Sequence, residues 1–156
     1  DCGMLGLPHL WEALNLCGLQ EDAYRILTAS GFPSYRNWVE DGATTLYEMW
    51  NMDYSQNHHM YSCFMGWMMS TIIGIRKTEP AYNAVELEPC FFEGLDWAKG
   101  HIDTPHGTVS VEWKRRKNPL VTDVSLTIPE GMRAYFRDTA LSAGTSEFTI
   151  ITTVMY

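Results

Sequence analysis

Around Thr78-Glu79-Pro80 the spacing of apolar residues changes. Before that point they recur every three or four positions, and after it they alternate. A helix repeats every 3.6 residues and a strand every 2, so a chain carrying both periods must be built in two parts. The fold class expected is therefore α+β, with a helical segment over 1–78 and a β-sandwich over 79–156.

In the helical part, Pro8 is expected in the first turn of a helix that carries Leu10, Trp11, Leu14 and Cys17 at helical spacing. Gly18 is the glycine expected just past its end. A second helix from Glu21 to Thr28 puts Ala23, Ile26 and Leu27 on one face, and Gly31 and Pro33 stop it. The short loop between them predicts an antiparallel pair. Residues 32–47 have no steady period and are expected to form a long excursion of the kind that carries function. From His58 to Ile73 the chain is apolar nearly all round, which predicts a helix buried on every side. Ser62, Gly66 and Ser70 form a stripe of small residues on it, headed by His58.

Beyond Pro80, Val85 and Leu87 alternate with Glu86 and Glu88, and Val109, Val111 and Trp113 with Ser110, Glu112 and Lys114. Val124, Leu126 and Ile128 repeat the pattern, and Met132, Ala134 and Phe136 continue it. Turn residues separate these runs at Thr104-Pro105-His106-Gly107 and Pro129-Glu130-Gly131. Six or seven short antiparallel strands with one apolar face predict the sandwich. Asp103 and His106 flank one turn and are read as turn residues.

A hydrophobic fraction of 46% with six Trp is enough to bury a core and excludes a disordered chain. Nineteen acids against 11 Lys plus Arg, net charge −8, argue against nucleic acid or an anionic membrane as partner. The one basic cluster, Lys114-Arg115-Arg116-Lys117, ends a strand-like run and is read as a solvated turn. No apolar run is long enough to span a bilayer and none has a secretory-leader pattern. Cys2, Cys17, Cys63 and Cys90 show no metal-ligand spacing. Three of them lie in apolar surroundings and are read as core thiols, which with the absence of N-x-S/T sequons favours a reducing, intracellular compartment. Neither a metal nor another cofactor is implied. The opening Asp1-Cys2-Gly3, without an initiator methionine, is read as the start of a piece of a longer chain.

The acid that raises the question of chemistry is Glu48, in GATTLYEMWN. Thr45-Leu46-Tyr47-Glu48 fits a capping box, in which threonine bonds the N3 amide and glutamate reaches back, so Glu48 has a purely structural reading. The residues alone leave that reading and a catalytic one open.

Three stretches in order, DCGMLGLPHLWEALNLCGLQEDAYRIL, GFPSYRNWVEDGATTLYEMWN and SQNHHMYSCFMGWMMSTIIGI, resemble the C-terminal end of the α-L-rhamnosidase family of glycoside hydrolases. GLDWAKGHIDTPHGTVSVEWKR and LTIPEGMRAYF resemble its C-terminal β-sandwich, with the likeness fading after about residue 138. The resemblance implies the last helices of an (α/α)6 toroid closed by a sandwich, and inverting hydrolysis of terminal α-L-rhamnosyl groups. It implies Glu48 as general base and His58 as a sugar contact, with Trp50 and Asn57 at matching positions beside them. Near-apolar walls from Trp38, Tyr47 and Trp50 would hold a 6-deoxy sugar. The implied partners are a rhamnose-containing glycoside or polysaccharide and the remainder of the same enzyme.

Each residue also has a plain alternative: His58 as a satisfied core histidine, Trp50 as core, Asn57 as the N-cap of the next helix. His59 lies off the stripe and is read as structural. The sequence departs from the family pattern too. Family members often carry Trp-Glu-Arg-Trp-Asp where this chain has Tyr47-Glu48-Met49-Trp50-Asn51, and Arg36 stands where glycine is usual. The family's general acid comes from an earlier helical segment that is not in this sequence. Two rival readings remain, a toroid glycosidase for another sugar and a non-catalytic sugar-binding or interaction module.

Overall fold

Strong turn chemistry sets the first helices. In the computed structural model, which describes residues 2–118 and 120–152, α1 runs Gly3–Leu16 and α2 Gln20–Thr28. Between them Gly18, at φ 72°, donates its amide to Asn15 O while Leu19 donates to Leu14 O. That is the Schellman arrangement, which needs a left-handed residue and so selects glycine. Pro8 does not lie in the first turn as expected; α1 starts at Gly3 and carries Pro8 inside it. A proline gives up one helical hydrogen bond, and the turn that precedes it forms nonetheless. α2 buries Ala23, whereas Ile26, expected on the same face, is exposed.

The first compact unit is Asp1–Trp67. Within it Trp11 and Trp67 lie 5.6 Å apart between ring centroids. Trp67 Nε1 donates to Asn15 Oδ1 at 2.8 Å and Trp11 Nε1 to Cys63 Sγ at 3.2 Å. Both rings are almost wholly buried, and these bonds fasten a short α4, Phe64–Trp67, and the turn just before it to α1. A third helix missed in the sequence, α3 (Tyr35–Glu40), is started by Ser34, whose Oγ accepts from Asn37 N at 3.0 Å. Six residues are too few to show a hydrophobic period, so only the cap could have revealed it.

The expected single helix from His58 to Ile73 is three short pieces: a 3-10 turn His59–Cys63, α4, and a π-helical turn Met68–Ile72. Changes of winding alter which residues share a face. The small-residue stripe therefore does not persist, and burial is not all round: Tyr61, Trp67, Thr71, Ile72 and Ile73 are buried, while Met65 is 59% exposed. The core-thiol reading also needs correction. Cys17 caps α1 in the open, Cys2 is exposed, and Cys63 and Cys90 are only part-buried.

The second unit is Met68–Tyr156. Its described residues form eight strands: β1 (Ile75–Lys77), β2 (Ala84–Leu87), β3 (Trp97–Thr104), β4 (Gly107–Arg115), β5 (Val121–Ile128), β6 (Arg133–Phe136), β7 (Thr139–Leu141) and β8 (Gly144–Ile151). They form two four-stranded sheets, ordered β1-β2-β6-β7 and β3-β4-β5-β8. The expected sandwich segment runs to residue 156, of which 153–156 lie outside the described residues. Every pairing is antiparallel except β2 with β6, which is parallel, a departure from the all-antiparallel expectation. Alternation puts Val109, Val111 and Trp113 of β4 and Val124 and Leu126 of β5 fully inside, facing Val85 and Leu87 of β2 and Ala134 and Phe136 of β6. Phe136 and Phe148 join the sheets, with centroids 4.6 Å apart.

Gly74, at φ 78°, leads into β1 where a Cβ would come within 2.2 Å of Pro89 N, so no other residue fits there. The basic cluster is not all solvated: Arg115 is half-buried and donates to Leu95 O and Phe92 O, and Arg116 forks onto Asp123. Asp103 and His106 serve their turn. Thr108 Oγ1 donates to Asp103 Oδ1 at 2.7 Å, and His106 N donates to Thr104 Oγ1 at 3.1 Å.

Candidate active site

The stretch from Ala43 to His58 contains no helix, so the capping box at Thr45 does not form. A loop held by its own backbone takes its place. His58 N donates to Leu46 O at 2.7 Å, closing the ends, and Glu48 N donates to Ser55 O at 2.9 Å across the middle. Met52 and Tyr54, both at φ 65°, turn the tip. Two bonds across a loop whose ends meet make an Ω-like closure, which is how an irregular segment holds a side chain in place.

Glu48 projects from this frame. Its Oε2 accepts from Ser55 N at 3.2 Å and lies 3.9 Å from His58 Nδ1. Oε1 has no hydrogen-bond partner among the described residues. Both side chains are partly open, 29% for Glu48 and 20% for His58. A carboxylate with one oxygen tied to a backbone amide and the other open can accept a proton from water while staying in one orientation. Among the described residues no three His, Cys, Asp or Glu side chains gather as a metal site.

Beneath the loop lies an aromatic floor. Trp38 Nε1 donates to Trp50 O at 2.9 Å, and the Trp50 ring meets Trp38, Tyr61 and Tyr35 at 4.7, 4.9 and 5.2 Å. Trp38 is only 2% exposed, so it supports the site from below and cannot be a sugar-stacking wall, as had been expected of it. Tyr47 packs edge-on to Trp38 at 5.7 Å. Asn57 is exposed, with its amide directed to Ser55 Oγ at 3.4 Å; it caps no helix, since His58 holds the N-cap position of the turn that follows. His59 is exposed, and its carbonyl accepts from Ser62 Oγ. The structure thus brings Glu48 and His58 together, seats Trp50 beside the buried floor and leaves Asn57 at the rim. Sequence reasoning missed Ser55, because a backbone amide carries no residue-type signal.

Tyr35 completes the floor and donates from its hydroxyl to Tyr61 O at 2.9 Å. Burial, and then the neighbouring Cys63 and Tyr61, push its phenol well above the ordinary 10.0. The folded state therefore holds this proton more tightly than the unfolded state does. The resulting stability is complete below the ordinary value and is lost as pH rises through and beyond it. Fluorescence-monitored unfolding is expected to show a steep loss of stability above pH 10.0 that is weaker in Tyr35→Phe. At neutral pH that variant should be about 1 kcal/mol less stable, for the lost hydrogen bond. Identical alkaline profiles would remove Tyr35 as the cause.

The first unit thus mounts an acid on a braced loop among short helices, and the second is built of two four-stranded sheets. The bacterial α-L-rhamnosidase six-hairpin glycosidase domain matches residues 1–72, and the bacterial α-L-rhamnosidase C-terminal domain matches residues 74–137. The chain belongs to this family; its fold is the end of an (α/α)6 toroid followed by a β-sandwich. An α-L-rhamnosidase of Alteromonas sp. (strain LOR) is 30% identical over 146 residues, 86% of this chain and 16% of that protein. One from Streptomyces avermitilis is 30% identical over 135 residues, 80% of this chain and 13% of that protein. This chain spans only a small part of the length of these relatives. Among solved structures, an Aspergillus terreus α-L-rhamnosidase superposes with TM-score 0.88 at 21% identity, over 95% of this chain and 19% of that one. A Streptomyces avermitilis α-L-rhamnosidase complexed with L-rhamnose gives 0.80 at 24%, over 96% and 17%.

Proposed function

We propose that this chain is the C-terminal part of an inverting α-L-rhamnosidase and that Glu48 is its general base. The observation that carries the proposal is the state of the Glu48 carboxylate, with Oε2 fixed by Ser55 N and 3.9 Å from His58 Nδ1 while Oε1 is left open. Inversion requires a base that activates water on one face of the sugar and an acid on the other, about 6.5–9.5 Å away. The loop's other carboxylate, Asp53, is exposed and accepts from Asn51 Nδ2 at 2.7 Å; we assign the acid to residues outside these 156, so that the chain by itself is inactive. His58 donates to a ring hydroxyl, while Trp50 and Asn57 shape the rim. The substrate is a terminal α-L-rhamnosyl group of a glycoside or polysaccharide, the class that the names of the relatives indicate.

The test uses the whole enzyme and a panel of aryl glycosides followed by proton NMR. The expected result is selective cleavage of the aryl α-L-rhamnoside with β-L-rhamnose as the first-formed anomer. Preference for another sugar would overturn the substrate, and a first-formed α anomer would overturn the inverting role of Glu48.

A further inference from the structure

The outer face of the β1-β2-β6-β7 sheet carries a cavity of about 480 Å³, within the size range of small-ligand sites. Strand register builds it. Arg76 of β1 pairs with Glu86 of β2, Glu86 with Tyr135 of β6, and Tyr135 with Ala140 of β7, so the first three side chains stand in one row across three strands. Ala140 closes the row with only a methyl, and Tyr135 remains 37% exposed. Glu88, Arg137 and Asp138 complete the wall. Arg76 Nη2 is shared between Glu88 and Glu86, the latter at 3.6 Å, and this holds its guanidinium plane in place.

The far rim is the two-residue turn between β6 and β7. Arg137 and Asp138 both have positive φ, 46° and 65°. A turn of this type favours Asn-Gly, because a side chain at positive φ is strained. Two charged residues occupy those positions instead, both lining the cavity, and Arg137 lies 5.8 Å over the Phe136 ring. Strain of this kind persists where side chains have a use.

We propose that this cavity binds a neutral saccharide, at a site separate from Glu48. Two guanidinium groups facing three carboxylates repel neither cations nor anions outright, but they leave little net charge with which to hold an ion. They do supply donors and acceptors in fixed planes, and a hydroxyl, which is both donor and acceptor, answers to both. The exposed Tyr135 ring offers a flat apolar surface to the C–H face of a pyranose. The rhamnose-containing probe rests on the hydrolase reading; the site itself does not. Calorimetric titration of the whole Glu48→Gln enzyme with a rhamnose trisaccharide, and with glucose and galactose trisaccharides, tests it. The expected result is a second binding component, in the millimolar range, that weakens about tenfold or more in both Tyr135→Ala and Arg137→Ala backgrounds. In the otherwise unaltered enzyme those two substitutions should leave turnover of a small aryl glycoside unchanged and slow cleavage of a polysaccharide. A component that responds to glucose or galactose but not to rhamnose supports the site and counts against the rhamnosidase reading. Titrations that superimpose across parent and both variants, or no second component with any sugar, overturn the site.

Discussion

Glu48→Gln in the whole enzyme is expected to lower kcat on an aryl α-L-rhamnoside by about 10²–10⁴-fold, the usual worth of a positioned general base. KM should change little, because the amide keeps the size of the carboxylate and its oxygen can still accept from Ser55 N, the contact now made at 3.2 Å. The loop would keep its shape, since its bracing bonds, His58 N to Leu46 O and Glu48 N to Ser55 O, involve backbone atoms only. What disappears is the basicity of the open oxygen. Loss of kcat with KM kept is the signature of an interaction made in the transition state alone. Steady-state kinetics with circular dichroism as a folding control measures both. Turnover within a few fold of the parent would remove Glu48 from the chemistry and return it to a structural role.

Trp113→Ala is expected to be the most damaging single change in the sandwich, at about 3–5 kcal/mol in denaturant unfolding. The ring is 0% exposed, and Phe91 packs edge-on at 5.1 Å. Its Nε1 donates to Ile72 O at 2.9 Å. Truncation therefore opens a large cavity and also leaves a buried carbonyl without its donor. Trp113→Phe separates the two effects: it keeps most of the apolar volume and loses only the hydrogen bond, so it should cost about 1–3 kcal/mol. Equal losses for the two variants would mean that packing contributes little here.

The sequence was most legible where one physical signal acted alone. The β4 and β5 alternation survives because a pleated strand can bury Val109, Val111 and Trp113 only on one face, and Gly18 was readable because the Schellman turn tolerates little else. His58 to Ile73 misled because apolar composition without period is silent about winding, and the segment changes winding twice. At Thr45–Glu48 the capping pattern lost to long-range backbone pairing with Ser55 and His58, which no local motif encodes. The family motif drew attention to Glu48 and His58, and the geometry then placed them 3.9 Å apart. The amide that steadies the carboxylate was out of reach, since any residue but proline provides one.

The parallel pairing of β2 with β6 has a consequence for biosynthesis. β3, β4 and β5 are all translated between these two strands, and in that interval β2 has only the three-residue β1 beside it. An isolated two-stranded ribbon is marginal in water. The β3-β4-β5 meander can therefore assemble while the ribosome is still at work, whereas the other sheet waits for the chain to reach Phe136. Until then the unpaired edge of β2 is the part of the nascent protein most in need of a chaperone.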